Sequence, residues 1–405
     1  MVRVIVGAIG LLVVGCSTEV QVERETRGAG GHDPAGGAGG AGNASSTGGS
    51  GGSIGIGGAG GNISTGGVGG VGGTGNCMPG AKQCVGNTPE ICNEIGQWQS
   101  GGPCPSSASV CVDGSCIPPS CVGLPSTCGP LQNENCCASA LVPGGTYNRS
   151  NDVNYPATVS DFVLDRFPVT VGRYRAFLAG YPQNAPATGA GAHPKIANSG
   201  WDAAFGDELP TDHAGLKDRL NCDVDFQTWT DAPSMNENLP INCLHWAMAF
   251  AFCAWDGGYL PTEAEWNRAA AGGDEQREYP WSNPPSAMTI DATYASYDCI
   301  GDGSGLGDCA FSDIAVVGSR SPTGDGKWGH ADMAGNLWEW ILDWSHVPYM
   351  MPCDNCADLQ SPNGYRVIRG GSWYNSASWA LTSLHGAEPP NDSGPEKGVR
   401  CARSP

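Results

Sequence analysis

The stretch Asp332-Met333-Ala334-Gly335-Asn336-Leu337-Trp338-Glu339-Trp340 decides the fold of this chain. It places aromatic rings and carboxylates side by side. Large rings require burial, and a carboxylate buried beside them requires a partner, because an unpaired buried charge is costly. Two interpretations remain open at this point. The acids form hydrogen bonds at the edge of a tryptophan-rich core, or they bind a hard cation such as calcium, which takes carboxylate and carbonyl oxygens.

The composition of the whole chain limits the class of protein. Twelve of the 13 tryptophans lie after residue 200, so the main core is expected in the C-terminal part. The net charge of -20 argues against nucleic acid or an anionic membrane surface as a partner. The 19 cysteines predict disulfides in an oxidising compartment, because the single C-x-x-C, Cys353-Asp354-Asn355-Cys356, has no second pair to complete a metal site.

Residues 1–16 predict how the chain reaches that compartment. A basic start is followed by an apolar run that is too short to span a bilayer as a mature helix. The run ends at Leu12-Val13-Val14-Gly15-Cys16, which resembles the lipobox of bacterial lipoproteins. The resemblance implies lipidation of Cys16, membrane attachment through that anchor alone, and a place in the bacterial cell envelope, with Ser17 favouring the outer membrane. A simple signal peptide cleaved elsewhere is the alternative.

Two segments are expected between this anchor and the main core. Residues 17–76 are mostly Gly with small polar residues, and such a tract is a flexible linker because it has too little apolar surface to fold. Residues 77–137 carry ten cysteines and are expected to form a small disulfide module, since so short a segment needs covalent staples. The sequence leaves its pairing open.

Residues 138–405 are expected to form one α+β domain. Asp161–Phe167 alternates as a strand does, and residues 172–178 then predict a short helix. Trp246–Trp255 is apolar on nearly every side, which predicts a buried helix.

A further helix is expected to begin after Thr262. Glu265 stands at the spacing of a capping box, in which the threonine and the glutamate each bind a backbone N–H of the first turn. The segments 272–314 and 346–365 are rich in Gly, Pro, Asp and Asn and are expected to be irregular.

Seven short motifs within this domain carry a family resemblance. In chain order they are Val169-Thr170, Trp246 with Phe252-Cys253, Leu260-Pro261-Thr262-Glu263-Ala264-Glu265-Trp266, Tyr279-Pro280-Trp281, Asp332 to Trp340, Arg369-Gly370-Gly371-Ser372-Trp373 and Gly398-Val399-Arg400-Cys401. Together they resemble the formylglycine-generating enzyme family, also called the sulfatase-modifying factor domain. The resemblance implies that family's α+β fold, a relative of the C-type lectin fold with much irregular chain.

The family's catalytic positions have changed in this chain. The family oxidises a cysteine of sulfatase precursors to formylglycine, using oxygen and a copper ion that two cysteines hold. By motif position, Asn375 and Ala380 replace those cysteines. Cu(I) requires soft thiolates, whereas an amide is a hard donor and alanine supplies no ligand. The resemblance therefore implies no copper site and no catalytic residue of this kind, and Ser372 is expected to be a hydrogen-bonded loop serine.

The family's structural calcium site is retained by motif position. The resemblance implies ligation by the side chains of Asp332 and Glu339 and by the carbonyls of Gly335 and Leu337. Asp332 and Glu339 keep carboxylate oxygens at the two positions where side chains would bind the ion, so a calcium site is favoured over a purely hydrogen-bonded core.

The resemblance also implies one disulfide, Cys253–Cys401, between the Trp246 helix and the terminal motif. Proximity along the sequence suggests three further pairs, which are Cys222–Cys243, Cys299–Cys309 and Cys353–Cys356. The family's second bridge is lost, because Ala270 and His385 stand at its two positions.

Two functions from different classes remain. The first is a surface-tethered, non-catalytic lipoprotein that binds an envelope or extracellular ligand or a partner protein, motivated by the lost thiols and the long linker. The second is an oxidase, either formylglycine-generating or a variant that uses His385. We favour binding over catalysis, and the sequence leaves the ligand and the oligomeric state open.

Overall fold

The computed structural model describes residues 77–305, 309–361 and 363–405. The predicted signal peptide, including Cys16, and the predicted linker over residues 17–76 lie outside the described residues. Within the described ranges no helix combines the length and the apolar character that crossing a bilayer requires.

Residues 77–117 form two small antiparallel sheets stapled by disulfides. The first sheet has the strand order β1 (Lys82–Val85), β2 (Thr88–Cys92) and β3 (Trp98–Ser100), and the second is a hairpin of β4 (Val110–Val112) and β5 (Ser115–Ile117). The bridges are Cys77–Cys92, Cys84–Cys111 and Cys104–Cys116. Covalent links replace the hydrophobic core that so few residues cannot build.

The segment that follows packs against the large domain. The Ser120 backbone N–H donates to Asp256 at 2.9 Å, and Arg173 Nε donates to the Ser120 hydroxyl at 3.0 Å. The Cys128–Cys136 bridge is buried in a cluster with Phe167. A further bridge in this segment joins Cys121 to Cys137. The domain boundary expected at residue 137 stays a prediction, and the observed contacts of this segment are with the domain that follows it.

Among its described residues the large domain contains three sheets and four α-helices. Its strands are β6 (Ser139–Val142), β7 (Gly145–Asn148), β8 (Pro156–Val159), β9 (Phe162–Asp165), β10 (Trp338–Trp344), β11 (Cys353–Asp354), β12 (Arg366–Arg369), β13 (His385–Glu388), β14 (Lys397–Gly398) and β15 (Ala402–Arg403). The sheet orders are β13-β12-β10-β14, β11-β8-β7 and β15-β9-β6. The helices are α1 (Val171–Ala179), α2 (His213–Arg219), α3 (Trp246–Trp255) and α4 (Glu263–Ala271). Long irregular segments connect them, so the domain is α+β with much irregular chain.

The helices follow from their sequences. Helix α3 has the predicted bounds, and its residues 246–253 are buried, as expected for a segment that is apolar on every face. Helix α4 begins after Thr262, whose side chain accepts from the Glu265 N–H at 3.0 Å while Glu265 accepts from the Thr262 N–H at 3.0 Å. The predicted capping box is confirmed.

The main core lies where helix α3 meets strand β10. The indole N–H of Trp246 donates to the Ile341 carbonyl at 2.8 Å, and that of Trp340 donates to the Leu244 carbonyl at 2.7 Å. Both rings are fully buried, and the two hydrogen bonds satisfy the polar atom that each ring takes into the core. These two hydrogen bonds therefore fix the position of helix α3 against strand β10.

Disulfides fasten this domain at both long and short range. Cys253–Cys401 joins helix α3 to the C-terminal segment over a sequence separation of 148. The other bridges are Cys222–Cys243, Cys299–Cys309 and Cys353–Cys356. All four are the pairs named from the sequence.

Candidate functional site

The turn before strand β10 holds two parts of the domain together. Gly335 and Asn336 adopt positive φ angles of 76° and 63°, which turn the chain sharply. The Gly335 N–H donates to the Gly370 carbonyl at 2.8 Å, and the Asn336 carbonyl accepts from Trp373 at 2.9 Å. The Asn336 side chain pairs with both backbone groups of Ala315. The motif before β10 is therefore bonded directly to the Gly-Gly-Ser motif.

Glu339 is an ion-paired residue of the core. Its carboxylate accepts from Arg400 Nη2 at 2.8 Å and from the Trp266 indole N–H at 2.7 Å. Arg400 is fully buried and also donates to the carbonyls of Asp165, Arg166 and Ala331. A buried carboxylate is tolerated when a cation and a further donor satisfy it, and Glu339 has both.

The four residues expected to bind calcium lie between residues 332 and 339, along this turn and the start of strand β10, and each carries an oxygen donor. The carboxylate of Asp332 is buried and accepts from the Gly318 N–H at 2.6 Å, and burial raises its pKa to about 6. Among the described residues, the carbonyls of Gly335 and Leu337 accept no hydrogen bond. Glu339 is neutralised by Arg400, so its burial does not require the ion. No group of three or more His, Cys, Asp or Glu side chains in the described ranges is placed to hold a metal, so any ion here would depend on the carbonyls.

The two positions at which the resemblance places the family's thiols, Asn375 and Ala380, are closed in this structure. The Asn375 side-chain carbonyl accepts from the Ser372 hydroxyl at 2.7 Å and from the Ser372 N–H at 3.1 Å. Asn375 is 8% exposed and Ala380 is 3% exposed. Ser372 is therefore held as a donor in a loop. These residues offer neither a nucleophile nor a soft metal ligand.

Beside Ala380 a stack of aromatic rings runs outward to the surface. Tyr279 packs in the same buried cluster as Ala380, and its ring stacks on Trp281 with 5.2 Å between centroids. Trp281 stacks in turn on Tyr294, also at 5.2 Å. Trp281 and Tyr294 are half-exposed, so part of this stack faces solvent next to the closed position. Such rigid, half-exposed rings are suited to contact with a ligand.

A separate polar cleft lies below strand β12. It encloses about 380 Å³, including its opening to solvent. At its floor Arg369 Nε donates to Glu263 at 2.7 Å, and the Tyr349 hydroxyl donates to the same carboxylate at 2.5 Å. Burial works to raise the pKa of Glu263, but Arg369 outweighs burial and lowers it to about 2. Asp343 lines the same cleft, and burial raises its pKa to about 7.

Sequence reasoning did not assign a role to this cleft. Glu263 and Arg369 stand in two of the quoted motifs, and their opposite charges are a signal that they pair. Arg149 and Tyr349 gave no such signal, because each comes from an irregular segment whose position depends on the whole fold. His385, considered as a base, lines this cleft and has its Nδ1 3.0 Å from the Tyr349 hydroxyl.

The fold and the site define an α+β, disulfide-bonded domain of the formylglycine-generating enzyme type in which the thiol pair is replaced. Residues 126–405 match the family described as sulfatase-modifying factor enzyme 1-like domain. The chain belongs to this family.

Relatives include both active and inactive members. The mouse (Mus musculus) inactive C-alpha-formylglycine-generating enzyme 2 is 28% identical over 328 residues, which cover 72% of this chain and 94% of the relative. The formylglycine-generating enzyme of Thermomonospora curvata is 30% identical over 190 residues, or 44% of this chain and 58% of the relative. A chaperone protein, LppX of Paenibacillus barcinonensis, is 27% identical over 278 residues, or 65% of this chain and 88% of the relative.

Proposed function

We propose that this protein is a non-catalytic member of its family that binds a polypeptide partner. The observation that carries the proposal is the hydrogen bond from the Ser372 hydroxyl to Asn375, beside a buried Ala380. Formylglycine formation needs a thiolate pair at these positions, and here Asn375, whose side chain is hydrogen-bonded to Ser372, and the apolar Ala380 stand in its place.

The partner is inferred from what surrounds the closed position. The family's reaction modifies a segment of another protein, so the surface beside the thiols is built to receive a peptide. In this chain the exposed faces of Trp281 and Tyr294 remain there. Two relatives are named as an inactive enzyme and as a chaperone, and both names are compatible with binding that is separate from catalysis.

The place of action in this proposal is the cell envelope. The lipobox ending at Cys16 would anchor the chain, and the Gly-rich tract over residues 17–76 would hold the folded part away from the membrane. Nine disulfides among the described residues fit an oxidising compartment.

Calcium is a second element of the proposal and has a structural role. Asp332 would supply a carboxylate oxygen, and Gly335 and Leu337 would supply carbonyls. Glu339 would have to exchange a contact with Arg400 or Trp266 for the ion. The ion would hold the turn before β10 and, through it, the Gly-Gly-Ser segment.

The binding proposal is tested with a defined probe. A fluorescent Cys-x-Pro-x-Arg peptide and its Ser-x-Pro-x-Arg counterpart, which cannot be oxidised at that position, are titrated with the purified chain and followed by anisotropy. We expect the two peptides to bind with equal affinity. Trp281→Ala should weaken the binding of both about tenfold, because it removes one stacked ring from the contact surface. Trp328→Ala is the matched control, since Trp328 is also half-exposed but lies outside the stack. No binding of either peptide, or equal losses in the two variants, would contradict the proposal.

A further inference from the structure

The Cys353–Cys356 bridge differs from the other disulfides in its loop and its surroundings. Its two cysteines are 3 positions apart, against 148 for Cys253–Cys401. This is the smallest sequence separation of any disulfide among the described residues. In the chain-entropy account a loop this short restricts the unfolded chain far less than a long loop does, so this bridge contributes less to stability than Cys253–Cys401. The structural reason for this bridge is correspondingly weaker.

The two sulfurs of this bridge have unequal access. Cys353 belongs to strand β11, which pairs with β8, and it is 5% exposed. Cys356 follows the strand, is half-buried and lines the polar cleft. One sulfur is thus available to a partner while the other lies behind it, which is the arrangement that thiol–disulfide exchange needs.

A buried cation stands beside the accessible sulfur. Arg149 is 3% exposed, and its Nη1 lies 3.9 Å from Cys356 Sγ. Its Nη2 donates to the Met350 carbonyl at 2.8 Å, whereas its Nε has no hydrogen-bond partner among the residues that the structure describes. A guanidinium at this place favours the thiolate of Cys356 over the thiol, because it stabilises the negative charge.

The same cleft contains a group that can carry a proton. The Asp343 carboxyl lines it, and burial raises its pKa to about 7 although it accepts from the N–H groups of Glu263 and Asp358. On the same wall His346 Nδ1 lies 2.8 Å from Asp358. A carboxyl that titrates near neutral pH can give a proton to a leaving thiolate and take it back.

Exposed apolar side chains stand in the same chain segment as the cleft residues, and one of them, Met350, lines the cleft. Val347, Met350 and Met351 are 40%, 54% and 43% exposed, and they stand between the cleft residues in the sequence. Flexible methionines accommodate varied apolar partners, so these three exposed side chains are suited to contact an extended polypeptide.

We propose that Cys353–Cys356 is a redox-active disulfide that oxidises a dithiol in a polypeptide partner. A thiolate of the partner attacks Cys356 Sγ, the Sγ–Sγ bond breaks, and Cys353 leaves as a thiolate that takes a proton from solvent. The second thiol of the partner, after losing its proton, attacks the partner's sulfur in the mixed disulfide and releases Cys356 as a thiolate beside Arg149. The partner loses two electrons and gains a disulfide, and Cys353 and Cys356 gain those electrons as two thiols. A disulfide of another protein would reoxidise them by the reverse steps.

This activity uses residues remote from Trp281 and Asn375, so it can fail while the proposed binding function stands, and the reverse also holds. It uses no copper and requires none of the family's thiols.

The first arm of the test uses the wild-type chain. The purified protein is exposed to graded thiol buffers, alkylated, and mapped by mass spectrometry. We expect the Cys353–Cys356 peptide to be reduced while the other eight described bridges stay intact. Resistance of this bridge until the others are also reduced would overturn the proposal, and this arm depends on no variant.

The second arm measures turnover on a reduced dithiol peptide with glutathione disulfide as oxidant. We expect the chain to accelerate peptide oxidation about tenfold or more and Cys356→Ser to abolish this. With glutathione disulfide present, Cys353→Ser should hold a single-thiol version of the peptide on Cys356 as a mixed disulfide, because that peptide has no second thiol to release itself. Arg149→Met should slow alkylation of Cys356 in the Cys353→Ser background at neutral pH, and Arg149→Lys should restore part of it, which a purely structural arginine would not do. Cys299→Ser with Cys309→Ser is the control pair. If the double variant carrying Cys353→Ser and Cys356→Ser oxidises the peptide as fast as the wild type, the proposal is contradicted.

Discussion

Arg369 and Glu263, 106 residues apart, form a fully buried ion pair that joins two of the sequence motifs. Glu263 begins helix α4, and Arg369 ends strand β12. Arg369 also donates to the carbonyls of Thr382 and Leu384, at 3.0 and 2.6 Å. One side chain therefore fixes the helix, the strand and the segment after the closed thiol positions relative to one another.

Breaking this pair should destabilise the domain strongly. Glu263→Gln leaves the Arg369 charge buried without its counter-ion, and we expect a loss of roughly 3–5 kcal/mol in the free energy of unfolding. Denaturant titration followed by tryptophan fluorescence measures it. Asp231→Asn, which breaks an exposed pair with Lys217, should leave the midpoint unchanged. A small effect of Glu263→Gln would mean that the pair is dispensable.

Ser372 should matter for stability and not for chemistry. Ser372→Ala removes the hydroxyl bond to Asn375, whose carbonyl still accepts from the Ser372 backbone N–H, so we expect a loss of about 1 kcal/mol in stability. Peptide binding should be unchanged. The exposed Ser376→Ala is the control, with a change within about 0.5 kcal/mol. Loss of peptide binding in Ser372→Ala at unchanged stability would assign this hydroxyl a direct role.

Calcium should raise the thermal stability of the wild-type chain. An ion that binds only the folded state adds to its stability according to its free concentration, so we expect Tm to rise with calcium and to fall on chelation. Asp332→Asn should lose most of this response because it removes a carboxylate ligand. Asp274→Asn, an exposed acid elsewhere, should respond as the wild type does. An identical Tm with calcium and with chelator would contradict the calcium proposal.

The domain should lose stability in mild acid through His245. Burial, and secondarily the nearby Arg219, lowers its pKa in the folded state to about 4, whereas in the unfolded chain it takes a proton near pH 6.5. The unfolded state therefore binds more protons between these values, and the free energy of unfolding falls as pH drops from 6.5 to 4, by at most about 3 kcal/mol from this group.

His245→Asn should reduce that slope. Asparagine does not titrate, and it is a favourable residue at the N-cap that His245 occupies before helix α3. Chemical denaturation across this pH range measures the difference between the two proteins. The exposed His213→Asn should leave the slope as it is in the wild type. If the free energy of unfolding of His245→Asn depends on pH as steeply as that of the wild type, groups other than His245 cause the loss of stability in acid.

Much of the fold could be predicted because its signals are local. Helix α3 is uniformly apolar over its whole length, and Thr262 with Glu265 has the spacing of a capping box, so both helices follow from their own residues. The strand expected over 161–167 is shorter in the structure, Phe162–Asp165, because its ends turn away to other contacts.

The polar interior could not be predicted in the same way. The Arg400 that pairs with Glu339 stands 61 residues away, and the Arg149 beside Cys356 stands 207 residues away. Such contacts depend on where irregular segments from distant parts of the chain lie in the fold. Irregular segments lack the helix or strand periodicity from which their position could be predicted. For the same reason the sequence named Cys353–Cys356 as a bridge but gave no indication of the cleft around it.

The central claim is that the chain no longer forms formylglycine. The purified chain is incubated with copper, oxygen and a Cys-x-Pro-x-Arg peptide, and the peptide is weighed by mass spectrometry. We predict that its cysteine stays unconverted while the protein remains folded and binds the peptide. Conversion of that cysteine to the aldehyde would contradict the account, because it would show that Asn375 and Ala380 do not prevent the family's reaction.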